Sequence, residues 1–341
     1  MLQGGLRERA TAQPALGLSR PRPGTSAVCG NFQPVSNFRA EIMRGAVRGA
    51  EVGPNAIGWK PRRRLHDATD CVQPGEKLEL CSESMSVRMA VLSDVHGNLP
   101  ALEAVLSDVK KADVDLIVFG GDLASGPMPA ETIDLVRSMP NARFVRGNAD
   151  RGVVAAYDGR PKPEWPGPYA DWCATRISRA QRDFLNSFAP TVEVEEVEAV
   201  GRVLVCHGSP RSDLDVIWSG TPTDRLQGFL TGLDSDLVVC GHTHIQFDRV
   251  VDDTRIVNAG SVGMPSGKHG AFWAQIGPGV QLKRTGYDRV EAAARLRKLD
   301  VLEVDEFVRE NVLRVPTLSE AVEFIKAAEA KQSAAADTPP R

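Results

Sequence analysis

The sequence predicts an α/β fold, on three observations. From Val87 onward, near-continuous apolar runs of strand length recur, as strands buried on both faces require. Segments with apolar residues at helical spacing stand between them. The resulting order, strand–helix–strand–helix–strand, implies parallel strands joined by right-handed crossovers.

The elements follow in order. "VRMAVLSD" is the first buried strand, and Asn98 caps a helix with Pro100 in its first turn and Leu102, Val105, Leu106 and Val109 on one face. "DLIVFGGD" is a strand, "PAETIDLVRSM" a helix and "ARFVRGN" a third strand. The Pro-rich loop Asp158–Pro168, with Trp165 and Tyr169 near it, comes next, open to two readings: a lid or base-stacking platform, or a rigid connection. Ser178 with Gln181 then forms a capping box for a helix presenting Phe184, Leu185 and Phe188. "TVEVEEV" and "RVLVCHG" are strands, Leu226, Phe229, Leu230 and Leu233 mark a helix, and "DLVVCGHTH" is another buried strand. Four shorter runs, "FDRVVDD", "TRIVNAGS", "GAFWAQIG" and "VQLKRTG", read as antiparallel strands. Two amphipathic helices close the chain, the second opened by Thr317 and Glu320.

Composition draws the boundaries. Residues 1–84 hold twelve Lys+Arg against eight Asp+Glu, which leaves −7 for the rest of a chain of net charge −3. This part is rich in Pro, Gly and Arg and has no sustained period, so it buries too little to offset chain entropy. Residues 1–86 are therefore expected to be a disordered extension or the product of a wrongly chosen start, since Met85 and Met89 both precede the first strand. Residues 87–332 form the domain, and 333–341 a frayed Ala/Pro-rich tail.

Other classes drop out. No run reaches the roughly 18 apolar residues of a membrane span. The six cysteines show no CxxC spacing, and two lie inside apolar strands, so a reducing, cytoplasmic setting is expected. The acidic balance gives no strong nucleic-acid signal.

The apolar runs end in side chains able to bind metal: Asp94 and His96, Asp122, Asn148, His207, and His242 with His244. Ligands of open α/β sheets bind beyond the carboxyl ends of the strands. In extended backbone, positions i and i+2 point the same way, so the two close pairs can each face one site. His96 to Asp122 and Asp122 to Asn148 are both 26 residues, about one helix plus one strand, so successive side chains arrive at one edge. Gly97, Gly120, Gly121, Gly147, Gly208 and Gly241 each lie within two residues of one of these positions and allow close backbone approach.

"DVHGN", "GGD", "RGN", "CHG" and "GHTH", in that order, resemble the calcineurin-like metallophosphoesterase superfamily across roughly Arg88 to Asp288. The resemblance implies a four-layer α/β/β/α sandwich with two sheets face to face. It also implies a two-metal centre, with Asp122 bridging. Asp94, His96 and His244 would complete one site, and Asn148, His207 and His242 the other. Asp122, Asn148 and His207 carry the catalytic roles in that reading. Mixed N/O donors suit Mn first, with Fe, Zn or Ni as further candidates. The implied reaction is phosphate-ester hydrolysis by a two-metal-activated hydroxide, with a phosphodiesterase expected before a phosphomonoesterase or nucleotidase. A weakly active, metal-binding regulatory scaffold is the alternative of another class.

One position departs from the family pattern. Where many members have a histidine after the G-N asparagine, this chain has Ala149, which places it beside a small bacterial branch and predicts a preference for good leaving groups. Arg146, Arg151 and Arg211 stand next to ligands and either hold a substrate phosphate or merely face solvent. Asp150 is expected to be structural and paired with Arg151, and Asn258 and Ser261 to lie beside the metals. His269 is read as a turn residue. The expected partner is a small, nucleotide-derived phosphate ester; a homo-oligomer is also compatible.

Overall fold

A computed structural model describes residues 87–299 and 302–336. The expected extension and its start lie outside the described residues, as do positions 337–341. Ten strands are present among the described residues: β1 (Met89–Leu92), β2 (Leu116–Phe119), β3 (Ala142–Phe144), β4 (Thr191–Val197), β5 (Gly201–Cys206), β6 (Leu237–Cys240), β7 (Phe247–Val251), β8 (Thr254–Asn258), β9 (Ala271–Ile276) and β10 (Val280–Thr285). They form two five-stranded sheets, ordered β10-β9-β1-β2-β3 and β4-β5-β6-β8-β7.

The helices are α1 (Leu99–Lys111), α2 (Pro129–Val136), α3 (Asn148–Tyr157), α4 (Ala170–Ala174), α5 (Arg179–Asn186), α6 (Thr223–Leu230), α7 (Arg289–Arg297), α8 (Leu302–Phe307) and α9 (Leu318–Ala336). A π-helical turn, Val308–Leu313, follows α8. Asn98 caps α1 by accepting the Ala101 N–H, and Ser178 with Gln181 caps α5.

Alternate residues of each strand face opposite sides, and this period of two builds the layers. Met89 and Val91 of β1 meet Val203, Val205, Val239 and Val257 of the second sheet in an apolar seam between the sheets. Their neighbours Ala90 and Leu92 face outward with Phe119, against Leu102, Val105, Ile133 and Val153 of the helices. On the far side Leu204, Cys206, Val238 and Cys240 pack on Leu226 and Phe229 of α6. The result is the expected four-layer α/β/β/α sandwich.

The structure departs from the sequence reading in four places. The "RGN" segment does not end in a plain turn, because Asn148 is the first residue of α3, which the sequence reading omitted along with α4. The strand read from "TRIVNAGS" is not purely antiparallel: β8 pairs antiparallel with β7 but parallel with β6. A third helical segment, α8 with its π turn, stands between the two closing helices. Finally, α9 runs to Ala336, past the Ser333 at which fraying was expected.

Candidate metal centre

Strands β1, β2 and β3 run parallel in one sheet, and β5 and β6 run parallel in the other. Their carboxyl ends supply Asp94 and His96, Asp122, Asn148, His207, and His242 with His244. The paired residues do not sit on extended backbone. Asp94, His96, Asp122, His242 and His244 adopt φ of 56°, 47°, 53°, 65° and 59°, the left-handed region that side-chain-bearing residues avoid. Each costs on the order of 1–3 kcal/mol and persists only where the surroundings over-determine it. Turns immediately beyond the strands, rather than the two-residue period of extended backbone, aim these side chains, and His242 and His244 go to different donor groups.

The determining contacts are visible. Asp94 N donates to Gly121 O at 3.0 Å and His96 N to Asp122 O at 2.9 Å. His242 N donates to Asp94 Oδ2 at 3.0 Å. Ser261 Oγ donates to Asp94 O at 2.8 Å, and Asn258 Nδ2 to Gly241 O at 2.6 Å, so both brace the ligand turns. Two glycines are sterically required: a Cβ on Gly121, at φ +98°, would sit 2.4 Å from His207 Nδ1, and one on Gly147 would sit 2.1 Å from Asp122 Oδ1.

Two groups of donors result, Asp94/His96/His244 and Asp122/His207/His242, each with one ligand atom per residue lying within 4.8 Å of the others. His244 Nε2 is 3.1 Å from Asp94 Oδ1 and 3.3 Å from His96 Nε2. His96 Nε2 is 3.7 Å and His207 Nε2 3.4 Å from the same oxygen, Asp122 Oδ2, which stands between the groups. Asn148 Oδ1 joins the second group, 3.1 Å from His207 Nε2.

The hydrogen bonds behind these atoms set their chemistry. His207 Nδ1 donates to Gly120 O at 2.8 Å and His96 Nδ1 to Ser125 O at 3.1 Å, which leaves each neutral ring with its Nε2 lone pair facing inward. Asn148 spends its amide N–H on Trp165 O at 2.6 Å and turns its oxygen inward. Lone pairs therefore converge on lone pairs, at buried side chains. Only a proton or a cation can sit between them.

The charges respond accordingly. Burial pushes Asp94 up, but His244 and His207 outweigh it and bring the carboxyl down to about 2. Asp122 is likewise lowered: burial opposes ionisation, and His207 overcomes it. Burial disfavours His207 as a cation, yet Asp122 against it raises its pKa to about 10. Burial and neighbouring His207 take His242 down to about 4. A divalent cation replaces that His207 proton naturally, and imidazole plus carboxylate donors fit such an ion.

The sequence profile of the calcineurin-like phosphoesterase superfamily domain matches residues 87–275. The chain belongs to this superfamily. An uncharacterized protein of Methanocaldococcus jannaschii is 29% identical over 197 residues, 52% of this chain and 76% of its own length. A metallophosphoesterase from Sphaerobacter thermophilus, of known crystal structure, is 26% identical with a TM-score of 0.54, covering 69% of this chain and 99% of its own. A hypothetical protein of Pyrococcus horikoshii shares the fold, with 19% identity and a TM-score of 0.54 over 67% of this chain and 100% of its own. Among the described residues no helix is long and apolar enough to cross a membrane.

In this calcineurin-like chain the remaining candidates sort differently. Asp150 does not pair with Arg151. Its Oδ1 accepts from Leu123 N at 2.9 Å and its Oδ2 from Gly147 N at 3.1 Å, so it ties the Asp122 and Asn148 turns together. Burial, then the nearby Asp122, raises its pKa to about 7. Arg151 instead grips Asp213 with two hydrogen bonds, at 2.6 and 2.7 Å. Arg211 stacks on Phe229, 4.8 Å above the ring. Arg146 has only a 4.0 Å approach to Asp213, and its buried Nε finds no hydrogen-bond partner. His269 is held by Arg289, whose Nη1 lies 3.1 Å from the ring nitrogens.

The loop Asp158–Pro168 reaches the centre. The Trp165 ring lies over His242, with centroids 6.1 Å apart at 22°.

Proposed function

We propose that this chain is a hydrolase of phosphate esters that uses two divalent cations and prefers diesters. The observation that carries the reading is the convergence of two carboxylates with the inward-turned Nε2 atoms of His96 and His207 and the Asn148 amide oxygen, which leaves the space between them to a proton or a cation. Asp94, His96 and His244 would hold one cation, and Asn148, His207 and His242 the other, with Asp122 shared. Such a pair, when bound, supplies Lewis-acid charge to the phosphoryl oxygens and an activated water. Mn is the first metal to test, then Fe, Zn and Ni.

The rest is the work of the chain itself. Gly120 and Ser125 carbonyls fix two imidazoles in the tautomer that offers Nε2, and Ala149 N holds Asp122 by its Oδ1 at 2.8 Å. The position after Asn148 is a buried Ala149. Among the described residues no imidazole outside the donor set stands ready, since Arg289 occupies His269. A positioned general acid is worth about 10²–10⁴-fold. Esters whose leaving oxygen is weakly basic are therefore favoured. The indole of Trp165 offers a flat wall for the organic group of a nucleotide-sized diester.

The test is a Mn²⁺-supplemented assay on aryl phosphate diesters and monoesters, run beside Asp122→Asn. Diester cleavage is expected to exceed monoester cleavage, and the variant to lose at least about two orders of magnitude, because that carboxylate would help hold both ions. Equal rates in the two proteins would sink the assignment.

A further inference from the structure

Beside the donor cluster lies a cavity of about 320 Å3 that the reaction as described does not use. Arg146, Arg151, Arg160 and Lys162 line it, with Val154 and Leu185 in the wall, and no carboxylate is among the lining residues. The carboxylates that face these cations approach from outside the cavity. Asp213 holds Arg151 at 2.6 Å, Asp158 holds Arg160 at 2.9 Å, and Asp171 pairs with Lys162. Arg146 is the least engaged of the four: Asp213 is 4.0 Å away and already spent on Arg151. Four positive side chains around a space free of acids form a site for an anion.

Its place relative to the centre is set by α3. Asn148, Arg151 and Ala155 follow at spacings of three and four, one stripe of the helix, and Arg151 and Ala155 both line the cavity. At about 1.5 Å of rise per residue, the part of the cavity lined by Arg151 and Ala155 lies roughly 5–10 Å along the axis from Asn148. That interval exceeds the separation of adjacent phosphates in an anhydride and matches two phosphates joined through one sugar.

Resting on the phosphoesterase reading, we infer that this basic cavity is a subsite for a second phosphate of the substrate. The preferred esters are then nucleotide-like molecules carrying one further phosphate on the far side of the sugar.

Calorimetry on the full chain with Mn²⁺ tests this, using thymidine 3′,5′-bisphosphate and thymidine 5′-phosphate as probes. The bisphosphate is expected to bind at least about tenfold tighter, the worth of one or two charge-assisted hydrogen bonds. In Arg160→Gln/Lys162→Gln that preference should fall to about twofold or less. Equal affinities in the unaltered protein, or a preference that the double variant leaves intact, would overturn the subsite. Aryl-diester hydrolysis is scored in the same preparation. Cleavage without a bisphosphate preference rejects the subsite and leaves the phosphoesterase reading standing; a preference without cleavage does the reverse.

Discussion

Asn148 and Trp165 hold one another at the mouth of the centre: the Asn148 amide donates to the Trp165 carbonyl at 2.6 Å, and the Trp165 ring lies over His242. One loop residue thus orients a donor on α3 through its backbone and covers a donor after β6 through its side chain. Trp165→Ala keeps the carbonyl and removes the ring, which is half-buried beside Val216 and Ile325. We expect a loss of about 1–3 kcal/mol in urea unfolding and a higher KM for aryl diesters.

The loop can lie so close only because Gly152 faces it. A Cβ there would stand 2.1 Å from Pro166 O, a backbone atom with nowhere to move. Gly152→Ala should therefore push the loop off α3 even though alanine favours the helix. Helix propensity would add up to about 1 kcal/mol of stability, and overpacking should remove about 1–3 kcal/mol. A net stabilisation with unchanged kcat would contradict this placement of the loop.

Much of this centre was legible because strand and ligand are adjacent in the chain. "AVLSD", "IVFGGD", "LVCHG" and "VVCGH" each deliver a donor within four residues of a buried strand. What stayed hidden depends on direction rather than order. Asp150 and Arg151 are neighbours on one helix, where i and i+1 point apart, so helix geometry excludes their pairing. Arg211 follows His207 closely yet turns onto Phe229, because its planar cation gains a ring face there. Helix α3 went unread because its first residues, "GNADRG", look like a turn and Gly152 interrupts the apolar period.

Cation binding should depend on pH through His207. Its pKa is raised from 6.5 to about 10 by Asp122, against the opposing effect of burial. For a raised histidine, the stability gained from its proton is complete below pH 6.5 and is lost as pH rises through about 10. A metal-stripped sample should accordingly weaken across that window. Cation affinity should move the other way, since the ion must displace the proton, and should rise about tenfold per pH unit for each proton released. Mn²⁺ titrations between pH 6 and 8.5 read this slope; a flat profile would mean that His207 carries no competing proton.

Beyond the residues of the superfamily domain, α9 braces the turn that follows His207. Its Ile325 and Ala328 pack on Val216, with Trp218 and with Ile245, the residue after His244. Glu329 accepts from Trp218 Nε1 and from Arg225, both at 3.1 Å, and Gln332 Oε1 accepts from Val216 N at 3.3 Å. Because these bonds fasten the segment that follows His207, Glu329→Ala/Gln332→Ala should affect the centre as well as the helix. Two half-buried hydrogen-bonding groups lost together cost about 2 kcal/mol, or a melting temperature lower by roughly 4–8 °C in a domain of this size. Mn²⁺ affinity should fall with it. Phe324, on the same helix and 75% exposed, supplies the control: Phe324→Ser should change stability by less than about 0.5 kcal/mol and leave Mn²⁺ binding alone. Equal effects from the two changes would show that α9 acts on the centre through no particular contact.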